Sequence, residues 1–414
     1  MVGTYDVLQW LFFNIQLGAI ASEITLCGGE SATDYIGIQQ IDDMTHYPEN
    51  NVLRQIWQFL YEGVNRANYM EENKANIDFE GKEAMYGEVY FLRAYYYFEL
   101  VKFFGDVPLF TEARLTAGQA GTLTRTPKDE VYAQIELDLQ NAIASLPNSQ
   151  SQVGRVNKYT AYALLGKVLL YQDKFAEAAS ALDNVIGVYS LVSDYGSQFL
   201  RFGENGPESV FEIQYSNQSN WYDWGCAHCS EGNYAIIMNG PRGWSGPEYA
   251  QGWSFNVPTE EFYNSFEEGD SRRDATVLDI EAFAAATGAS YTEGYDHTGY
   301  FNNKYIPRAG ESGGQTELNY LTNFRIIRYS DVLLMAAEAY NRGGIDDGLA
   351  QEFLNQVRRR AFGGDDNDIS ASGSALTDAI WEERKFELSL EGQRFFDLVR
   401  SGRASSLIAG FVEG

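Results

Sequence analysis

The chain has 414 residues, with 58 acidic against 30 basic side chains and a net charge of −28. So acidic a surface repels phosphate backbones and anionic headgroups, which excludes nucleic acid and a peripheral membrane surface as partners. Hydrophobic residues at 44% and aromatics at 14% supply ample core material and exclude global disorder.

No stretch reaches the roughly 18–20 apolar residues of a membrane helix. The most apolar one, Leu8 to Ala21, is interrupted by Asn14 and Gln16 and followed by Cys27. A lipoprotein leader would carry a basic start and small residues before its cysteine, whereas here Asp6 and Glu23 intrude and Leu26 precedes Cys27. The segment reads as an amphipathic helix with Tyr5, Leu8, Phe12 and Ile15 on one stripe. With no targeting peptide visible, the chain is either cytosolic or shortened at its start.

Apolar residues at Leu53, Ile56, Trp57, Leu60, Tyr61 and Val64 predict a helix from Asn51 to Glu71. Glu83 to Phe104 is a second, closed by Gly105 and Pro108. Lys128 to Leu146 is a third, with Thr126 as N-cap before Pro127. Lys158–Gln172 and Phe175–Gly187 form a tight hairpin. Its Tyr162, Leu165, Gly166, Leu169, Phe175, Ala178 and Leu182 fall at tetratricopeptide-repeat spacing, with small Gly166 and Ala178 where two helices approach. Similar pairs at 51–104, 128–172 and 324–362 predict a mostly α scaffold of about four such hairpins.

Between Tyr189 and Asn323 helical periodicity gives way to Gly, Asn, Ser, Tyr and Trp. Ser209 to Ser216 alternates as a strand, and Asn233 to Asn239 is a second strand candidate. So long an irregular stretch in a compact domain is usually functional. It carries Trp221, Trp224, Trp244 and Trp253, four of the seven tryptophans. Helices return over Arg325–Arg342, Leu349–Phe362 and Leu376–Arg400.

Several constellations suggest chemistry and read more simply as structure. Gly310-Glu311-Ser312-Gly313-Gly314 has nucleophile-elbow spacing, but His46, His228 and His297 all precede it and Pro307 breaks any strand before it. Cys226-Ala227-His228-Cys229 lacks the second ligand pair of a structural zinc site, and a disulfide-like clamp or buried thiols fit better. Asp365-Asp366-Asn367-Asp368 lacks the glycine and closing Glu of a calcium loop. It reads as a solvated turn, so no cofactor is expected, with calcium as the only metal the acids suggest. Arg358-Arg359-Arg360 reads as a solvated helix face. Glu382, Glu383, Glu387 and Glu391 lie on one helix, where Arg384, Arg394 and Arg325 or Arg328 are the expected partners. Dinucleotide, Walker and zinc-protease motifs are absent.

The Trp-rich stretch is what remains. Flat aromatic side chains stack on the apolar face of a sugar ring, and Asn, Asp and Arg side chains reach its hydroxyls.

Three segments resemble a known family when taken together. They are Glu88-Val89-Tyr90-Phe91-Leu92-Arg93-Ala94-Tyr95-Tyr96-Tyr97-Phe98 with Phe104-Gly105-Asp106-Val107-Pro108-Leu109; Arg328-Tyr329-Ser330-Asp331-Val332-Leu333-Leu334-Met335-Ala336-Ala337-Glu338-Ala339; and Glu391-Gly392-Gln393-Arg394-Phe395-Phe396-Asp397-Leu398-Val399-Arg400. Their order and wording resemble the SusD/RagB family of outer-membrane nutrient-binding lipoproteins, over nearly the whole chain. The resemblance implies four tetratricopeptide-like units carrying an irregular half with short strands. It also implies a lipid-anchored protein at the cell surface that binds oligosaccharides for a SusC-like TonB-dependent transporter and does no chemistry. The expected division is a helical scaffold at 1–188 with a first binding loop near 27–45, an irregular region at 189–323 packed on it, and a helical return at 324–414, all one structural domain. Carried onto this sequence, the ligand face draws on Asp34 and Tyr35 in the first loop and on Trp253. Composition adds Trp221, Trp224, Trp244 and Arg242. The lipid-attachment cysteine and the usual closing segment are not in this sequence. An α-helical glycoside hydrolase, drawing on Asp223, Glu231 and Glu248, and a tetratricopeptide adaptor for protein tails are the alternatives.

Overall fold

The computed structural model describes residues 1–218, 224–313 and 316–412. Helices dominate. The main ones are α1 (Phe12–Ile20), α2 (Ile36–Asp42), α3 (Asn51–Glu72), α4 (Lys82–Phe104), α5 (Lys128–Ser145), α6 (Lys158–Leu170), α7 (Phe175–Leu182), α8 (Tyr329–Arg342), α9 (Asp347–Phe362), α10 (Ser374–Leu388) and α11 (Arg394–Arg400). From α3 to α10 each packs on its neighbours in chain order, α7 meeting α8 across the intervening segment. This is the expected stack of four helical hairpins.

The ends follow from local chemistry. The Asn50 side chain accepts from the Val52 and Leu53 amides, Asn157 from Tyr159 and Thr160, and Asp346 from Leu349. Gly105 and Gly363 end α4 and α9 at φ 67° and 75°, where a side chain would be strained. Helix α4 is buried on nearly all sides from Tyr86 to Val101 and carries Glu88, Arg93 and Glu99 inward with its apolar residues. Its Arg93 grips Asp138 of α5 with two hydrogen bonds, Nε at 2.8 Å and Nη2 at 2.7 Å. A Cβ on Gly166 would stand 2.5 Å from Leu182, so the α6–α7 hairpin closes only around glycine.

Short antiparallel pairs finish the frame. Strand β1 (Thr25–Gly28) pairs with β4 (Phe255–Pro258), and β2 (Ser209–Ile213) with β8 (Phe324–Arg328). Strand β3 (Arg242–Ser245) pairs with β6 (Ser290–Thr292), and β5 (Val277–Asp279) with β7 (Tyr300–Asn302). The largest buried cluster runs without interruption from α1, α4 and α8 into Phe211, Tyr234, Ile236, Phe255, Tyr305 and Tyr320 of the middle segment.

Four local readings of the sequence are corrected. Leu8 to Ala21 is not one amphipathic helix: a 3₁₀ turn (Val7–Trp10) precedes α1, and α1 is buried on every side because helices and β4 surround it. Asn233–Asn239 forms a single helical turn at Ala235–Met238, held by Asn233 and Asn239 side chains on backbone carbonyls. Phe324–Arg328 is a strand, because β2 offers it an antiparallel partner, and the helix starts at Tyr329. Leu376–Arg400 is two helices, parted at Leu390 and Gly392, both at positive φ.

The charge pairing also differs. Arg358 and Arg360 are not solvated: Arg358 binds Glu383 and Glu267, Arg360 binds Glu387 and Glu208, and only Arg359 faces out, toward Glu352 and Asp368. Arg328 does meet Glu387 and Glu391, at 2.8 Å each. Arg384 instead holds Asp331 and Asp397, Arg394 holds Glu23, and Arg325 holds Glu212. The middle segment adds Arg272 on Glu383 and Glu387 and Lys304 on Glu391, and Lys385 pairs with Glu382. No helix of the described residues is long and apolar enough to cross a membrane.

Candidate functional site

Strand β1 ends in Gly28 and Gly29, at φ 70° and 106°, and the chain turns out into the first loop. The Gly29 amide donates to the Ser254 carbonyl at 2.7 Å, and a Cβ there would stand 2.8 Å from the Phe255 ring. Asp34 Oδ2 accepts from the Glu30 amide at 2.8 Å, which folds the loop on itself. The same oxygen accepts from Arg242 Nη2 at 2.7 Å. Arg242 stands at the start of β3, and its amide donates to Ser254 Oγ at 3.2 Å. Two candidates 208 residues apart in sequence therefore form an ion pair.

Tyr35 caps α2 in the left-handed region, φ 49°. This swings its ring edge-on to Phe13 at 5.3 Å and Phe255 at 6.4 Å. Trp253 is half-buried, anchored by its amide to the Ile237 carbonyl at 2.9 Å, and its ring meets Tyr234 edge-on at 5.7 Å. Tyr234 meets Phe12 at 4.6 Å and Phe12 meets Phe13 at 4.5 Å. A continuous run of aromatic contacts thus joins Tyr35 to Trp253. Burial pushes the hydroxyls of Tyr35 and Tyr234 further up, so both stay neutral donors at any ordinary pH.

A third loop was not singled out from the sequence. The Tyr295 amide donates to the Gly29 carbonyl at 2.8 Å, Gly294 lies against Ser254, and the Tyr295 side chain is 38% exposed. An exposed tyrosine in a Gly-Tyr-Asp turn was the signal available. Next to it lie Asp296, Asp43 and Asp42. The Asp42 carboxyl is pushed up to about 7, chiefly by burial, although the Cys27 amide hydrogen-bonds it at 2.8 Å.

The other candidates go elsewhere. Trp244 lies against Tyr249 and Phe283 in a small core with Leu278, Ile280, Phe301 and Ile306. Trp221 lies outside the described residues, as does Asp223, and of Trp224 only the backbone is described, opening a 3₁₀ segment (Trp224–Cys229). Cys226 and Cys229 are joined as a disulfide, and His228 between them sits against Trp10 and Phe59. Glu248 pairs with Arg308, and Glu231 is exposed. Ser312 bridges through its backbone to Tyr320, while His228 and His297 lie against other rings. In the acidic turn Asp368 pairs with Arg359, and the Asn367 carbonyl accepts from Arg358.

The face therefore offers the part-exposed rings of Tyr35, Trp253 and Tyr295, with Arg242 paired to Asp34 and Glu30. That set suits an uncharged polyol lying across rings.

The chain is similar to known proteins over nearly its whole length. Residues 207–408 match the family described as the SusD family, and residues 27–170 match the family described as "Starch-binding associating with outer membrane". The SusD-like protein P2 of Formosa agariphila is 31% identical over 385 residues, covering 87% of this chain and 74% of that protein. Among solved structures, a laminarin-binding SusD-like protein superposes with a TM-score of 0.90 at 35% identity, over 99% of this chain and 92% of that one. The surface glycan-binding protein A of Bacteroides thetaiotaomicron, in complex with laminarihexaose, gives 0.88 at 30% identity, over 98% and 90%.

Proposed function

The chain belongs to the SusD family, and from that premise we propose that it captures oligosaccharides of the laminarin type at the cell surface, without cleaving them. The face built from Asp34, Tyr35, Arg242, Trp253 and Tyr295 is the proposed ligand site. The observation that carries this reading is that the part-exposed Tyr35, Trp253 and Tyr295 stand on segments joined at Gly29, at Ser254 and by the Asp34–Arg242 pair. Stacked rings supply affinity for C–H faces, and the ion pair supplies both donors and acceptors for hydroxyls. Laminarin enters because relatives of this fold are named as its binders. Lipid anchoring at the outer membrane and delivery to a SusC-like TonB-dependent transporter complete the proposal.

Calorimetric titration with laminarihexaose tests it. One site per chain is the expected result, with no reducing ends released on long incubation. Absence of binding to laminarihexaose and to a panel of other neutral oligosaccharides would overturn the reading. Release of reducing ends would transfer it to the hydrolase alternative.

A further inference from the structure

The Cys226–Cys229 loop has no part in the proposed sugar site, yet three metal-ligating side chains converge in it. The two sulfurs and the imidazole nitrogen of His228 all lie within 4.8 Å of one another. With Zn–S near about 2.3 Å and Zn–N near about 2.0 Å, sulfur and nitrogen in a tetrahedral zinc site stand about 3.5 Å apart. Cys226 Sγ and His228 Nε2 stand at 3.5 Å. The imidazole is already held, with its ring centroid 5.0 Å from that of Trp10 and 5.3 Å from that of Phe59. A ligand oriented in advance in this way loses little freedom on binding. Cys229 is exposed, so its side chain can turn once released.

We propose that this loop, when its disulfide is reduced, is a zinc site with Cys226, His228 and Cys229 as ligands. Two equivalents of a thiol reduce the S–S bond, giving two cysteine thiols and one external disulfide. Zinc then displaces the two thiol protons to solvent and takes the lone pair of the neutral imidazole. Two thiolates neutralise the divalent charge, and their softness selects zinc over calcium or magnesium. Disulfide and metal are then alternative closures of the same short loop.

The test uses the full chain, reduced with a dithiol and desalted without oxygen, then titrated with zinc against a chromophoric chelator. The expected result is one equivalent bound by the reduced protein with release of protons, and none by the oxidised protein. Cobalt in place of zinc should give thiolate-to-metal absorption. Cys229→Ser should abolish uptake, His228→Ala should weaken it at least tenfold, and Cys27→Ser should leave it unchanged. Equal uptake by oxidised and reduced chains, uptake surviving Cys229→Ser, or an unaffected His228→Ala would overturn the assignment. Oxidised and reduced wild type need no substitution, so a variant that fails to fold does not spoil the test.

Discussion

Arg242 Nη2 donates to Asp34 Oδ2 at 2.7 Å, and with Arg242 Nη1 3.7 Å from Glu30 Oε2 this ties the first loop to strand β3. Both side chains are partly exposed, at 23% and 29%, so the pair contributes only about 1 kcal/mol or less to stability. Its use is to fix two polar groups where a ligand's hydroxyls would lie. Arg242→Met should therefore weaken laminarihexaose binding about tenfold in calorimetry while moving the melting temperature little. Asp34→Asn keeps the geometry and should weaken it less. A variant that loses stability and keeps affinity would place the pair outside the site.

A second contact concerns the frame. A Cβ on Gly18 of α1 would stand 2.0 Å from the Gly392 carbonyl oxygen, backbone against backbone. No rotamer relieves such a clash, so Gly18→Ala should cost about 3 kcal/mol or more, measured by denaturant unfolding. A Cβ on Gly392 would stand 2.9 Å from the Ile15 carbonyl oxygen at a left-handed φ of 74°, so Gly392→Ala should also cost stability, about 1–3 kcal/mol.

Asp42 makes stability depend on pH in an unusual direction. Its carboxyl is pushed up to about 7 by burial, with Asp43 and Asp296 adding to the shift, against about 3.9 in the unfolded chain. Between those values the folded state binds the extra proton, so this contribution is fully present below about pH 4 and lost as pH rises through 7. Asn imitates the protonated form. Asp42→Asn should thus match the wild type at about pH 3.5 and exceed it by up to a few kcal/mol at about pH 8. Equal stability of the two at both pH values would refute the assignment.

The long stack of helices was readable because Leu53 to Val64 and Tyr162 to Leu182 keep helical spacing, and Gly166 marks where two helices touch. The position of Phe324–Arg328 was not, since a strand whose partner lies at 209–213 leaves no local sign. Arg358 and Arg360 read as surface because adjacent like charges usually are. Their burial depends on Glu208, Glu267, Glu383 and Glu387, brought together only by folding. Trp57 lies on an apolar helical stripe and Trp381 within the last predicted helical stretch, and both side chains are half-buried, with Arg342 and Arg403 over Trp381. In the proposed site Tyr35 and Trp253 came from resemblance, whereas their connection runs through Phe12, Phe13 and Tyr234, which only the fold makes neighbours.

Because one buried cluster spans scaffold and middle segment, we expect residues 189–323 not to fold alone. Among the described residues strand β2 also pairs only with β8, outside that range. Limited proteolysis should degrade the region or leave the chain whole. A stable fragment near 189–323 would show a separate domain.

Trp253 and Trp244 offer the sharpest contrast. Trp253 is half-buried and rests on Tyr234 at the edge of the main core. Trp253→Ala should weaken laminarihexaose binding by about 2 kcal/mol or more, over tenfold. The loss should be nearly independent of salt, since stacking on a neutral ring is not coulombic and releases no counterions. Losing the Tyr234 contact should also lower stability, by about 1 kcal/mol, so affinity is to be measured well below the melting transition. Trp253→Phe should restore part of the affinity. Trp244 packs on Tyr249 and Phe283 instead, and Trp244→Ala should cost about 2–3 kcal/mol of stability and leave affinity in the folded fraction unchanged. If the two variants exchange these behaviours, the ligand lies over β3 and β6 rather than beside Tyr35.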